Sequence, residues 1–412
     1  MLFSSKSFIQ LKKRLKRRYK SRFNKLIKEL NHEAHTKTGE WLNTHSDDFS
    51  EFTPLHWYFL EQVETLIYFL KHQSRLSVNE DFTSIDDEVF ERWNRSEFAD
   101  IFLKSLNQGN SLSLANNKTM KCFDEHLVSM GNFHILKTAH PNKSYRIQTS
   151  LGDQKKKNMI SPMLAATLHL DGKELKLMTN SMKEMKSFSS RIELALKIIK
   201  SHSPTSWERF AAFTEVIIPI NQEEFVSYSH QELPGTSMIN LYHRDFVDLM
   251  DDLIHENGHH HLNYYLNLDN LIEEPIDCIY YSPWRRTLRP LRGIYHAYFT
   301  FFWAFKLFAD LAFSLQQDTT SYPFNESEQE KMAWRAIEEF NMLNFTFNDL
   351  KWAYKKHLIS SHGWELIQEQ QNYLKKYSKK ISQLERQLKI HRADNRNLKT
   401  TLKSATKKFL KK

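Results

Sequence analysis

Between Phe8 and Leu30 the apolar residues Phe8, Leu11, Leu15, Tyr19, Phe23, Leu26 and Leu30 recur every three or four positions, with Lys and Arg filling most of the gaps. That spacing places them on one stripe of a helix, so a basic amphipathic helix is expected over residues 1–35. A polar, mixed stretch follows to about residue 150, with helical patterns such as "LHWYFLEQVETLIYFLKHQ" and a loop at "NQGNSLSLANNKT". "GDQKKKN" at 152–158 reads as a boundary. At 164–178 two alternating runs flank Asp171-Gly172, which predicts a hairpin. A helix through "RIELALKIIK" and strands at "TEVIIPI" (214–220) and "PGTSMINLY" (234–242) come next. From Asp245 to about Leu268, Phe246, Leu249, Met250, Leu253 and Ile254 return to helical spacing.

The most apolar run, "GIYHAYFTFFWAFKLFADLAFSL" (293–315), is long enough to span a bilayer. His296, Lys306 and Asp310 argue for a buried core helix instead, because charges inside a spanning helix are expensive unless paired. From 366 onward a heptad runs through Ile367, Leu374, Tyr377, Ile381, Leu384 and Leu388, is weakened by His391 and Asn395, and resumes at Leu398, Leu402 and Phe409. A coiled coil or a long hairpin helix fits this pattern. The fold expected is α+β and mostly α-helical, with a small sheet or hairpin beside a zincin-like metal helix, a helical N-terminal region and a long C-terminal helix. The boundaries read as 1–35 (basic helix), 36–150 (helical region), 151–365 (catalytic domain) and 366–412 (basic heptad tail).

Composition changes this picture little. Hydrophobic residues make up 40% of the 412 and aromatics 13%, with only 9 Gly and 10 Pro, which suits a packed, helix-rich protein. Cys122 and Cys278 are the only cysteines and form no CxxC pair, so no disulfide framework or cysteine zinc site is available, and a reducing, cytoplasmic setting is favoured. The N-terminal run lacks a signal-peptide core. The net charge of +9 is concentrated at the two ends, and no acid lies between Lys6 and Lys28. Those ends suit an acidic partner, an anionic membrane surface (hence a membrane-peripheral location) or nucleic acid, or simply a solvated face packed on the domain.

Chemistry concentrates in "DLIHENGHHHLNYY". His255, Glu256 and His259 form H-E-x-x-H: at ~3.6 residues per turn the two imidazoles leave the same face, and the glutamate stands ~100° round. His260 and His261 point elsewhere on the same arithmetic. In hydrolases using this motif, the glutamate takes a proton from metal-bound water. The bare motif arises by chance in roughly one protein of this size and composition in twenty, so a third ligand matters. Leu262 and Tyr265 exclude the H-x-x-G-x-x-H continuation. Glu273 and Glu274 lie in a stretch that reads as a loop ending at Pro275, which leaves His296 better placed.

The block "YYSPWRRTLRPLRGIYHAYF" (280–299) adds specificity. With His255, Glu256 and His259 before it, the order Ser282, Pro283, Trp284, Arg285, Arg289, Pro290, Gly293, His296 resembles the HExxH-motif peptide-modification proteins, which are found beside ribosomally made, post-translationally modified peptides. The resemblance covers about 160–315. It implies a metal held by His255, His259 and His296, and some relatives look like iron- and 2-oxoglutarate-dependent oxygenases that hydroxylate peptide side chains. Arg285, Arg286, Arg289 and Arg292 precede His296, and a guanidinium matches a carboxylate bidentately. Arg285 and Arg289, shared with the family pattern, are the expected cofactor-binding residues for the distal carboxylate of 2-oxoglutarate; pairing of the arginines with Asp248, Asp251, Asp252 or Glu274 is the plainer alternative.

Three functions follow. The first is an Fe(II)/2-oxoglutarate-dependent hydroxylase of peptide or protein side chains, with Glu256 near the metal. The second is a zinc metallopeptidase with Glu256 as catalytic base and the "PGTSMINLY" strand pairing with an extended peptide. The third is a scaffold with a vestigial site, self-associating through its C-terminal heptads.

Overall fold

The computed structural model describes residues 4–32, 131–137, 144–151, 169–170, 173–174, 182–223, 225–229, 231, 235–273, 279–315, 324–388 and 392–409. The expectations for "LHWYFLEQVETLIYFLKHQ", "NQGNSLSLANNKT" and "GDQKKKN" lie outside these residues. The described residues form eight helices, a five-stranded sheet and two two-stranded sheets, an α+β fold that is mostly helical. They fall into two compact units, one comprising 1–13, 190–214 and 243–412, the other 14–189 and 215–242.

The second unit holds the five-stranded sheet. Its order is β1 (Gly131–Lys137), β2 (Ser144–Leu151), β5 (Val216–Ile220), β7 (Thr236–Asn240), β6 (Tyr228–Ser229). β2, β5 and β7 run parallel, whereas β1 and β6 are antiparallel to their neighbours. Both strands read from "TEVIIPI" and "PGTSMINLY" are present, but β7 is interior: β5 and β6 flank it and all five of its residues are buried. This corrects the expectation that it receives an extended peptide, since its ladder positions are already paired. The hairpin around Asp171-Gly172 is present as β3 (His169–Leu170) against β4 (Lys173–Glu174).

The first unit carries the histidines. α1 (Ser5–His32) is a helix as its pattern requires, and its apolar positions Phe8, Leu11, Leu15 and Tyr19 are buried while Lys13, Arg14 and Arg17 stay exposed. Its first turns, up to Lys13, belong to this unit. α2 (Met182–His202) and α3 (Pro204–Phe213) lead to α4 (Phe246–Leu266), the motif helix. α4 begins at Phe246 because Asp245 caps it, its carboxylate accepting from Asp248 N at 2.9 Å. β8 (Tyr280–Ser282) and β9 (Thr287–Arg289) form a hairpin before α5 (Leu291–Leu315). α6 (Glu326–Lys355) starts with a capping box between Asn325 and Glu328, and α7 (Ser361–Gln387) starts on Ser360.

α5 is the buried core helix expected, with Ile294, Tyr295, Tyr298, Phe299, Phe302, Trp303 and Phe305 fully buried. Among the described residues no helix is long and apolar enough to cross a membrane. Its charges are accounted for internally: Lys306 pairs with Asp310, whose carboxylate also accepts from Ser203 Oγ and Tyr377 OH. The heptad faces inward, with Ile367, Leu374, Ile381 and Leu384 buried. α7 ends at Gln387, and α8 (Arg392–Phe409) turns back so that Lys399 pairs with Glu385 at 2.8 Å.

Candidate metal centre

The two residues inside H-E-x-x-H build the site. Asn257 Nδ2 donates to Thr214 Oγ1 at 2.8 Å, just past the C-terminal end of α3, and Arg209 Nη2 of α3 donates to Ile254 O at 2.9 Å, so each helix grips the other. Gly258 faces α5, where a Cβ would come within 3.1 Å of Thr300 Cα. That close approach sets the two helices at a separation a side chain would prevent. Thr300 lies one turn beyond His296, and its hydroxyl donates to His296 O at 3.0 Å. The glycine therefore delivers His296 to the flank of the motif.

His255, Glu256 and His259 each offer a ligand atom, and these atoms all lie within 4.8 Å of one another. The His255 and His259 rings are 5.0 Å apart, the separation expected of two imidazoles sharing one ion at ~2.1 Å from each nitrogen. The His296 ring lies 6.1 Å from that of His259, about an ångström farther out. Among the described residues, His255 Nδ1 and His296 Nε2 are buried without a hydrogen-bond partner. Burial holds all three imidazoles below their usual basicity, His259 to about 4, with neighbouring charges adding to the effect at His255 and His296. They are neutral at pH 7, the form that ligates a metal, and a bound ion would satisfy nitrogens otherwise left bare. The donor set fits a nitrogen-loving divalent ion, iron(II) or zinc alike.

His260 and His261 lie off this face, as the helical arithmetic requires. His261 is fully buried in an aromatic box, stacked on Phe213 at 4.5 Å and edge-on to Phe8 and Phe299. Glu273 is exposed, its backbone N–H donates to Leu358 O, and it is not part of the His255-Glu256-His259 group.

The hairpin arginines divide. Arg289 is half-buried, and its guanidinium folds over Gly293, where a Cβ would come within 3.0 Å of Nε. Gly293 is three residues before His296 on α5, while the charges of this arginine block that are felt at the imidazoles are those of Arg285 at His255 and Arg292 at His296. Arg285 and Arg286 are exposed at the turn. Asp248 and Asp251 pair instead with Lys331 and Arg335, and Asp252 pairs with Arg244. Arg285, Arg286 and Arg289 have no ion-pair partner among the described residues.

Several contributors act through contacts that the sequence does not announce. Trp284 stacks on Phe301 with ring centres 4.7 Å apart, and Phe301 lies 4.3 Å from the His255 ring. Trp284 Nε1 donates to Glu339 Oε2 at 2.7 Å. Burial pushes the Glu339 carboxyl well above the usual range, against the opposing pull of that hydrogen bond, and nearby Asp251 and Glu338 raise it further. Arg209 is fully buried, its guanidinium 4.0 Å over the Trp303 ring. Nothing in the spacing of "WERFAAF" marks it.

No family model matches the sequence, and no curated protein is significantly similar to it. The buried His255-Glu256-His259 group of an HExxH-like motif therefore stands as a candidate metal site.

Proposed function

We propose that the protein is a non-haem iron(II), 2-oxoglutarate-dependent hydroxylase of peptide or protein side chains, with the metal held by His255, His259 and His296. Arg289 carries this reading. A guanidinium with no acid paired to it among the described residues, folded against Gly293 three residues before His296, is the partner that the distal carboxylate of a 2-oxo acid needs. His255 and His259 offer neutral nitrogens on one helical face, and His296, which stands outside that group with its ring 6.1 Å from that of His259, is the third imidazole this reading calls on. Iron, when bound, supplies the oxygen activation: 2-oxoglutarate and O2 are consumed, succinate and CO2 form, and one oxygen atom enters a C–H bond of the substrate residue. Glu256 orients water or a ligand beside the imidazoles. Trp284 and Phe301 support the His255 ring and exclude solvent on that side.

The second reading, a zinc hydrolase, is favoured by one distance. The Glu256 carboxylate lies within 4.8 Å of both imidazole ligand atoms, where a general base can take a proton from the attacking water. Glu256→Gln separates the two. It abolishes peptide hydrolysis, whereas hydroxylation survives with succinate still formed. Turnover of a peptide library that ignores 2-oxoglutarate and stops in Glu256→Gln would replace the first reading with the second.

A further inference from the structure

The two-stranded β8–β9 sheet has one buried and one open strand. All three residues of β8 are buried, whereas Thr287 and Leu288 of β9 are exposed, Leu288 by 38%, and among the described residues no strand pairs with the outer edge of β9. An open edge offers unpaired backbone donors and acceptors to an extended peptide. The turn before it carries Arg285 and Arg286, which make no salt bridge among the described residues; the charge of Arg286 is felt by Glu338, whose own salt bridge is to Arg335, and Asp248, Asp251 and Asp252 pair with other cations.

This edge is held rigidly. Tyr281 of β8 stacks on Phe409 of α8, with ring centres 5.4 Å apart and planes within 11°. It packs in one cluster with Phe345, Leu402 and Ala405. Trp284 is pinned by Glu339 and by Phe301, and Arg285 N donates to Ser282 Oγ. Arg286 adopts φ 53°, a conformation that a non-glycine residue keeps only when its surroundings enforce it. A pre-organised edge loses little entropy on binding. It also adjoins the metal face, since Phe301 bridges Trp284 to His255.

We infer that β9 is the substrate-docking edge, and that it takes an extended peptide bearing acidic side chains as a third strand, with Arg285 and Arg286 pairing with its carboxylates. This rests on the peptide-modifying reading, and it names the class of peptide: acidic, extended and unfolded along the segment next to the modified residue.

The test is fluorescence anisotropy on the full-length protein. The probes are a labelled peptide alternating Glu and Val, its Gln/Val counterpart, and the Glu/Val peptide N-methylated at alternate backbone nitrogens. The acidic peptide should bind at least about tenfold more tightly than the Gln peptide at low salt, with the difference shrinking as salt is added. N-methylation, and the double variant Arg285→Glu/Arg286→Glu, should each remove the advantage. Lys13→Glu/Arg17→Glu on α1, where both residues are exposed, should leave it intact. The milder Arg285→Gln/Arg286→Gln pair keeps the test decisive if charge reversal perturbs folding. Equal affinity for the Glu and Gln peptides, loss of binding in the α1 variant alone, or indifference to N-methylation would overturn the inference. Cobalt(II) absorption read on the same samples separates the two ideas. Peptide binding without metal uptake sinks the metalloenzyme reading alone, and metal uptake without peptide discrimination sinks the docking edge alone.

Discussion

The four histidines of the motif helix, His255, His259, His260 and His261, share a helix but not a role, and their surroundings decide which is which. His255 and His259 border Glu256 and keep part of their surface open, whereas His261 is sealed among aromatic rings with neither ring nitrogen hydrogen-bonded among the described residues. Leaving a buried polar group bare costs about 1–3 kcal/mol, and an apolar group of the same shape removes that cost. His261→Phe should therefore raise the thermal midpoint while metal affinity stays within about twofold. His255→Ala or His259→Ala should weaken metal binding by more than about a hundredfold. A His261→Phe variant that loses metal would reverse these assignments. Acid should act through the same residues. A histidine near 6.5 in the unfolded protein takes up protons there first when burial holds it lower in the folded state. His259 is held to about 4 and His260 to about 3. Their contribution to stability is complete above pH 6.5 and is lost as pH falls from there toward 4 and 3. Urea midpoints of metal-free protein at neutral and mildly acid pH should show this decline, and a flat profile would contradict it.

At the scale of elements, the site is a consequence of how closely α4 approaches α5. Gly258 allows that approach, and the neighbouring Asn257 ties α4 to the end of α3. Gly258→Val should push α5 away, destabilise the protein by about 1–3 kcal/mol, and weaken metal binding further by displacing His296. Calorimetry with and without metal checks both effects. This is also where sequence reading stopped. The H-E-x-x-H face, the Asp171-Gly172 hairpin, both sheet strands and the buried nature of α5 follow from local periodicity, and all are present. Which strand is interior, and that α8 pairs back with α7 through Lys399 and Glu385, depend on neighbours distant in sequence. Arg209, Phe301 and Glu339, and the contacts of Trp284, were illegible for the same reason: each matters through a partner between 17 and 94 residues away.

For the whole molecule, the H-E-x-x-H signal, the arginine block and the open β9 edge come together in one compact unit. Ligand binding to the folded state alone stabilises it by about 2.7 kcal/mol at a hundredfold excess over Kd, so chelation should lower the melting temperature of the intact protein by several degrees. The central claim, that three imidazoles hold a metal beside an arginine reserved for a 2-oxo acid, is tested most directly by visible absorption. Metal-free protein is given iron(II) and then 2-oxoglutarate without oxygen. The account predicts a charge-transfer band in the native protein that is lost in His296→Ala and in Arg289→Ala. No band in the native protein, with zinc copurifying in its place, would contradict the hydroxylase and favour the hydrolase.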